Sequence, residues 1–347
     1  MTRPIRVIQW ATGSMGKTCL RAVLDDPRFE LVGLFVYGAA KAGKDAGEIA
    51  RRDPTGIIAT RSVEEILALD ADVVLHCPML SDPYDGHDAD VRRLLESGKN
   101  VISINNYFEP RALGAEHAAT LESSALKGGA TLAGTGVNPG WVAERMAANA
   151  VALCLSHTNV ATREIIDCTT VPNPDYVFGA LGFGADPATI DLVAGPLART
   201  FDSMFAQSVE GLAQRIGLAL DGYESDHQLR LAGRDLNVAA GMIPQGTVAA
   251  TTWRVHGVAD GVRRITHEVN WIMDPTDLAF AGKPHWQIEV EGTPGLTIAM
   301  DLVAGAPSGV RTKPEQFAVA AMVLDAIPRV VAAPPGLLRL WPERVAR

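Results

Sequence analysis

Cysteine is scarce in this sequence, and what there is does not cluster. The four residues, Cys19, Cys77, Cys154 and Cys168, form no C-x-x-C pair. That argues against a zinc knuckle or a disulfide framework and suits free thiols in a reducing compartment. The eight histidines include no H-E-x-x-H, so no metal site is expected. Excess positive charge is missing too. Lys and Arg number 31 against 40 Asp and Glu, a formal net charge of −9, so no electrostatic footprint favours nucleic acid or an anionic membrane surface. No uncharged run approaches the length that spans a bilayer, and no signal-like apolar stretch precedes the first strand pattern. These absences lead to the expectation of a cytoplasmic protein with neither nucleic acid nor membrane as partner.

What is present is an ordinary globular balance, 47% hydrophobic and 20% charged over 347 residues, enough for two domains and a large core. Ile5 to Trp10 is a short apolar run between Pro4 and a glycine loop, which suits a fully buried strand. Ser14 to Asp25 then places Met15, Cys19, Ala22 and Val23 at helical spacing. Further buried strands are expected at Leu31–Tyr37, Val73–Cys77, Val101–Ile104 and Ala130–Ala133, with helices near 62–69, 86–97 and 111–126. Strands separated by single helices make βαβ units and a parallel, doubly wound Rossmann sheet. After a longer helix pattern near residue 141 the rhythm changes. Arg163–Val171, His227–Leu231, Val248–Val258, Ile265–Ile272, Trp286–Glu291 and Leu296–Leu302 read as strands, with one clear helix at Ala194–Ala219. This pattern indicates an α+β domain built on a mostly antiparallel sheet. The expected division is 1–145 for the dinucleotide-binding domain and 146–311 for a substrate-binding and dimerisation domain, with 312–347 packing back on the first. The β-rich runs outnumber what one helix layer covers, so a homodimer through the second domain is expected. The Gly/Pro-rich stretch Val171–Pro187 reads as a mobile loop.

The loop after the first strand allows two readings. Ala11-Thr12-Gly13-Ser14-Met15-Gly16 is the dinucleotide fingerprint G-x-G-x-x-G with Ala in first place. Followed by Lys17-Thr18, the same letters give a triphosphate loop with the same substitution. A triphosphate site also needs an Asp at the carboxyl end of another strand to hold Mg²⁺. The strand ends Val36-Tyr37-Gly38, His76-Cys77-Pro78 and Ile104-Asn105-Asn106 supply none, and Asp72 lies at the start of its strand. The dinucleotide reading needs only the strand–turn–helix context. Gly13 lets the backbone approach the pyrophosphate, Gly16 allows close helix–strand packing, and the helix N-terminus faces the phosphates. Ala11 is tolerable where the turn keeps φ negative. The second strand normally ends in an acid that binds the ribose hydroxyls of NAD. Here Tyr37 stands near that end, no carboxylate follows, and Lys41 and Lys44 come next. An acid-free, cationic pocket favours the 2′-phosphate of NADP, with NAD use possible. Two solvated surface lysines are the bland alternative. Cys77, Pro78 and Asn105, at the ends of neighbouring strands, complete the expected cofactor edge.

With these elements in place the chain resembles the dihydrodipicolinate-reductase-like superfamily. Within it, the branch with 2,4-diaminopentanoate dehydrogenase and the native NAD(P)-dependent amine dehydrogenases is most similar. The carrying residues are Val7–Gly16, Gly43–Glu48, Asn105-Asn106-Tyr107-Phe108-Glu109-Pro110, Gly134-Thr135-Gly136-Val137-Asn138-Pro139-Gly140, Ala326-Ile327-Pro328 and Ala332–Gly336. The resemblance is thin between residues 160 and 310. Dihydrodipicolinate reductases proper carry paired histidines and a Ser-Gly-Thr-Ala segment for a diacid; both are missing, which argues against that reaction. Asp167–Pro174 has no Arg to hold a carboxylate as diaminopentanoate dehydrogenase does, so an uncharged carbonyl or amine fits better.

The resemblance implies reversible amination of a ketone or aldehyde with ammonia, and gives a Glu in the Asn105–Pro110 segment the proton-transfer role. Glu109 lies just past a strand's carboxyl end, where α/β sheets bind ligands. Tyr107, Phe108 and Pro110 would desolvate it and raise its pKa. A solvated loop Glu is the bland reading. Asn138 could reach the nicotinamide or simply cap the helix expected near Pro139. Trp141 could wall the pocket or be plain core, and Thr170, Tyr176 and Met204 are the candidates from the second domain. The competing functions are a carbonyl or alcohol oxidoreductase and a non-catalytic NADP-binding sensor.

Overall fold

The computed structural model describes residues 3–303 and 312–340. These fall into two compact units, divided after Trp141 and again after Leu302.

In the first unit, β1 (Ile5–Trp10) runs into α1 (Ser14–Leu24), followed by β2 (Phe29–Phe35), α2 (Ala46–Ala50), α3 (Val63–Ala68), β3 (Val73–His76), α4 (Asp88–Glu96), β4 (Asn100–Ser103), α5 (Ala115–Gly128) and β5 (Thr131–Gly134). The chain returns to this unit with α8 (Pro314–Ala332) and the short β15 (Gly336–Leu337). The sheet order is β15-β5-β4-β3-β1-β2, and every pairing is parallel. Its strands are short and apolar because both faces are covered. On one face Cys19, Leu20 and Val23 of α1 and Val323, Ile327 and Val330 of α8 meet Val7, Val73 and Leu75. On the other, Ile66, Val91, Leu94 and Leu121 from α3, α4 and α5 meet Ile8, Val74 and Val101.

The second unit holds α6 (Ala147–Val151), β6 (Ser156–Asp167), α7 (Pro196–Ile216), β7 (Gly222–Ser225), β8 (Gln228–Leu231), β9 (Leu236–Val238), β10 (Gly241–Ile243), β11 (Val248–Ala259), β12 (Val262–Ile272), β13 (Trp286–Thr293) and β14 (Leu296–Met300). Its main sheet runs β14-β13-β6-β12-β11-β7, with β8 also paired to β11. Only β6 and β12 are parallel; the other pairs are antiparallel. The Rossmann sheet and the mostly antiparallel second sheet are as the sequence led us to expect.

One face of the second sheet packs on α7, where the Phe201 ring lies 4.7 Å from Trp253 and 4.9 Å from Trp271, and Phe205 lies 5.0 Å from His267. A charged ladder crosses the strands instead of apolar side chains along the alternate residues. Arg163 and Arg254 both hold Glu268, at 2.7 and 2.9 Å, and Arg254 and Arg263 hold Asp226 at 2.8 and 3.0 Å.

Within residues 171–187, Val177, Leu181 and Phe183 are buried in a cluster with Leu192, Ile243 and Val248, while residues 172–175 are exposed. The short strands β7, β9 and β10 escaped notice because each is only three or four residues long, with few buried positions. Among the described residues no helix is long and apolar enough to cross a membrane.

Candidate active site at the carboxyl edge of the parallel sheet

The turn between β1 and α1 is built by close approach. A Cβ on Gly16 would sit 2.2 Å from the Ala11 carbonyl oxygen, so only glycine lets α1 start against the end of β1. The buried Gln9 amide donates to that same carbonyl at 3.0 Å, a brace that the fingerprint does not encode. Ala11 itself has φ of +74°. The condition under which alanine would be tolerated without strain, a negative φ, is therefore not met: Ala11 takes the left-handed conformation that glycine adopts freely. A Cβ in that region costs about 1–2 kcal/mol.

Gly13 has the opposite surroundings. It is exposed, and a Cβ built on it meets nothing within 4 Å. As the residue before α1 it offers no capping side chain, and the first turn carries no acid. Backbone N–H groups at a helix start then remain for an anion, favoured by the helix dipole. A pyrophosphate fits these residues. Ser14 and Met15 lie in that first turn, the Ser14 hydroxyl accepting from the Gln316 amide. Thr12 is buried, and Lys41 Nζ donates to its carbonyl at 2.7 Å and to its Oγ1 at 3.0 Å. Desolvation, with Lys17 nearby, lowers the Lys41 pKa from its usual value. Lys41 therefore leans over the loop, and Lys17 adds a second cation that sequence reasoning weighed only within the triphosphate motif. Lys44 instead makes an exposed pair with Glu48 at 2.7 Å.

Next to this loop, Tyr37 is 45% exposed and its hydroxyl accepts from Trp10 Nε1 at 3.0 Å. Trp10 in turn stacks on Phe35 at 3.9 Å. The half-exposed ring is thus held by buried aromatics. At the end of β3, Cys77 turns into the core, where its thiol meets that of Cys19, so it brings no side chain to the edge. Asn105 is committed locally, its amide donating to the Pro78 carbonyl at 2.6 Å and its own carbonyl accepting from Tyr84 at 3.0 Å. The two residues lock the loops after β3 and β4 together.

Glu109 follows β4 on that second loop. Gly134 lets the loop lie on β5, since a Cβ there would come 2.5 Å from the Phe108 nitrogen. The Glu109 side chain is only 4% exposed, yet its surroundings differ from the expected aromatic wall. Tyr107 faces away and donates to Asp88 Oδ1 at 2.8 Å, with its backbone at φ +65°. Arg339 is a partner of Glu109: its Nε and Nη2 both donate to Oε2, at 2.9 and 2.6 Å. Arg111 Nη1 stands 3.9 Å from Oε1. Sequence reasoning missed Arg339 altogether.

His76, close to Tyr107 and Trp10, is fully buried; its Nδ1 is 3.3 Å from Ser103 Oγ, and Nε2 has no partner among the described residues. Burial pushes its pKa down to about 3. Asn138 lies where the backbone of Asn138–Gly140 is non-helical, so the helix begins past Pro139, and Trp141 N–H donates to the Gly136 carbonyl at 3.1 Å. Trp141 is half-buried. Of the candidates after residue 141, Met204 is buried on α7 beside Phe205, Tyr176 is half-buried at the margin of the Val177–Phe183 cluster, and Thr170 is exposed.

A parallel sheet with a glycine turn and helix start at its carboxyl edge is a Rossmann-type architecture, and the chain adds a second, mixed-sheet unit. Residues 7–78 match the family model described as dihydrodipicolinate reductase, N-terminus. The amine dehydrogenase of Streptomyces virginiae is 25% identical over 96% of this chain and 94% of its own. The 2,4-diaminopentanoate dehydrogenase of Acetoanaerobium sticklandii is 22% identical over 96% and 91%. Among solved structures, the amine dehydrogenase from Mycobacterium smegmatis has a TM-score of 0.78 at 20% identity, covering 96% of this chain and 94% of that one. The resemblance drawn from the motifs holds.

Proposed function

We propose that the protein is an NAD(P)-dependent amine dehydrogenase, interconverting an uncharged ketone or aldehyde plus ammonia with an amine. The observation that carries this reading is Glu109: a buried carboxylate on the loop leaving β4, at the same sheet edge as the glycine turn. The names of the similar proteins, amine dehydrogenase and 2,4-diaminopentanoate dehydrogenase, support it.

The backbone of Gly13 and the start of α1 would hold the cofactor's pyrophosphate, and Lys41 with Lys17 would face a 2′-phosphate, favouring NADP with NAD possible. When bound, that cofactor supplies or accepts the hydride. Glu109, as carboxylate, takes a proton from ammonium so that ammonia can attack the carbonyl. It then returns a proton to the carbinolamine hydroxyl, which leaves as water and yields the iminium.

Glu109→Gln keeps size and hydrogen bonding but removes the base. NADP(H) binding should stay near wild type while turnover falls by about two to four orders of magnitude in both directions. The measurement is nicotinamide absorbance with a panel of carbonyls, each with and without ammonium. A Glu109→Gln protein that keeps most of its activity overturns the assignment. Carbonyl turnover that ignores ammonium identifies a carbonyl oxidoreductase instead.

A further inference from the structure

We infer that Arg339 is a positioning residue for proton transfer at Glu109: its guanidinium holds that buried group in place as a carboxylate. The inference rests on the role given to Glu109 above.

A carboxylate removed from water is costly unless a cation and hydrogen bonds replace its hydration. Glu109 is almost wholly buried, and the guanidinium at its side stays charged at every working pH. Two nitrogens of Arg339, Nε and Nη2, donate to Oε2, at 2.9 and 2.6 Å, so the guanidinium fixes the position of that oxygen. Another charged group lies farther from Glu109. Arg111, on the turn Pro110–Leu113, is 3.9 Å from Oε1 and more than half exposed. Glu122 of α5 reaches Arg111 at 4.0 Å.

Arg339 is also placed with precision. β15 pairs in parallel with β5, the Leu338 N–H donates to the Leu132 carbonyl at 2.8 Å, and Thr131 Oγ1 donates to the Pro334 carbonyl at 3.0 Å. The backbone that carries Arg339 is thus registered on the strand next to β4, which leads to Glu109. A surface ion pair would need no such registration.

The test is the pH profile of amination by Arg339→Gln, Arg339→Lys and Arg111→Gln, with thermal melting and cofactor titration confirming folded proteins. Removing the guanidinium favours the protonated acid, so the acidic limb of kcat should move to higher pH by about one unit or more in Arg339→Gln. Arg339→Lys keeps the charge without the fork; its limb should move less, with kcat lowered and KM little changed. Arg111→Gln should leave the limb in place. A folded Arg339→Gln enzyme with an unmoved limb overturns the inference. Should that variant fail to fold, an Arg339→Lys enzyme with wild-type kcat and limb overturns it. An active Glu109→Gln protein would instead remove the reading beneath it, so the two failures are distinguishable.

Discussion

In the first unit the parallel sheet is covered on both faces by helices, and its tightest points are backbone against backbone. In the second, α7 covers one face of the sheet, and a ladder of Arg163, Glu268, Arg254 and Asp226 crosses its strands. The difference teaches where tolerance lies. Backbone packed on backbone cannot yield, whereas side chains and ion pairs can rearrange. Backbone contacts of this kind also occur in the second unit, where a Cβ on Gly292 would lie 2.3 Å from the Ser156 carbonyl oxygen, so tolerance is set contact by contact.

Alanine at one glycine in each unit sharpens this contrast most. A Cβ on Gly16 would strike the Ala11 carbonyl at 2.2 Å, while one on Gly257 of β11 would meet Val209 Cγ1 at 2.7 Å and Leu220 at 3.0 Å, both movable side chains. Gly16→Ala should lose about 3 kcal/mol or more in denaturant unfolding and Gly257→Ala about 1–2 kcal/mol. Equal losses would break the comparison.

Buried histidines provide the next test, one per unit. Burial lowers His76 to about 3 and His267 to about 4, from 6.5. Both are neutral in the folded protein and gain protons on unfolding below pH 6.5. Stability is therefore full above that pH and falls as the medium is acidified toward those depressed values. The slope approaches about 1.4 kcal/mol per pH unit for each group. His76→Gln should flatten the acid dependence of the first unit's unfolding and His267→Gln that of the second. Unfolding curves from pH 7 to 4.5 measure it, and wild-type slopes in both variants would refute it.

The smallest effect belongs to the first unit alone. Lys41→Glu should weaken NADP(H) about tenfold or more, with a smaller effect on NAD(H), because only the former carries the 2′-phosphate. Fluorescence titration of both cofactors decides; equal weakening would mean that Lys41 merely braces Thr12.

The same contrast explains what the sequence reveals. β1 and α1 are legible because an apolar run, a glycine turn and a helical period adjoin each other within twenty residues. The parallel strands read as apolar runs, and β13 of the second unit as alternation of buried and exposed positions. Ala11 carries no mark of its left-handed backbone, since alanine fits most conformations. Arg339 is invisible from Glu109, because the pair spans 230 positions and no periodicity encodes contacts at that range. Phe108 and Tyr107 were natural desolvating neighbours by proximity in sequence, but the chain's positive φ at Tyr107 turns that ring toward Asp88.

The sheet of the first unit is finished by β15, after the whole of the second unit has been threaded through the chain. On the ribosome, β5 therefore waits for its outer neighbour while everything from Val142 to Leu302 is made. At about 5–20 residues per second that interval is on the order of ten seconds or more. For that time β5 has an open edge and Glu109 lacks its guanidinium, so the nascent chain holds the glycine turn long before it holds the completed acid–base pair.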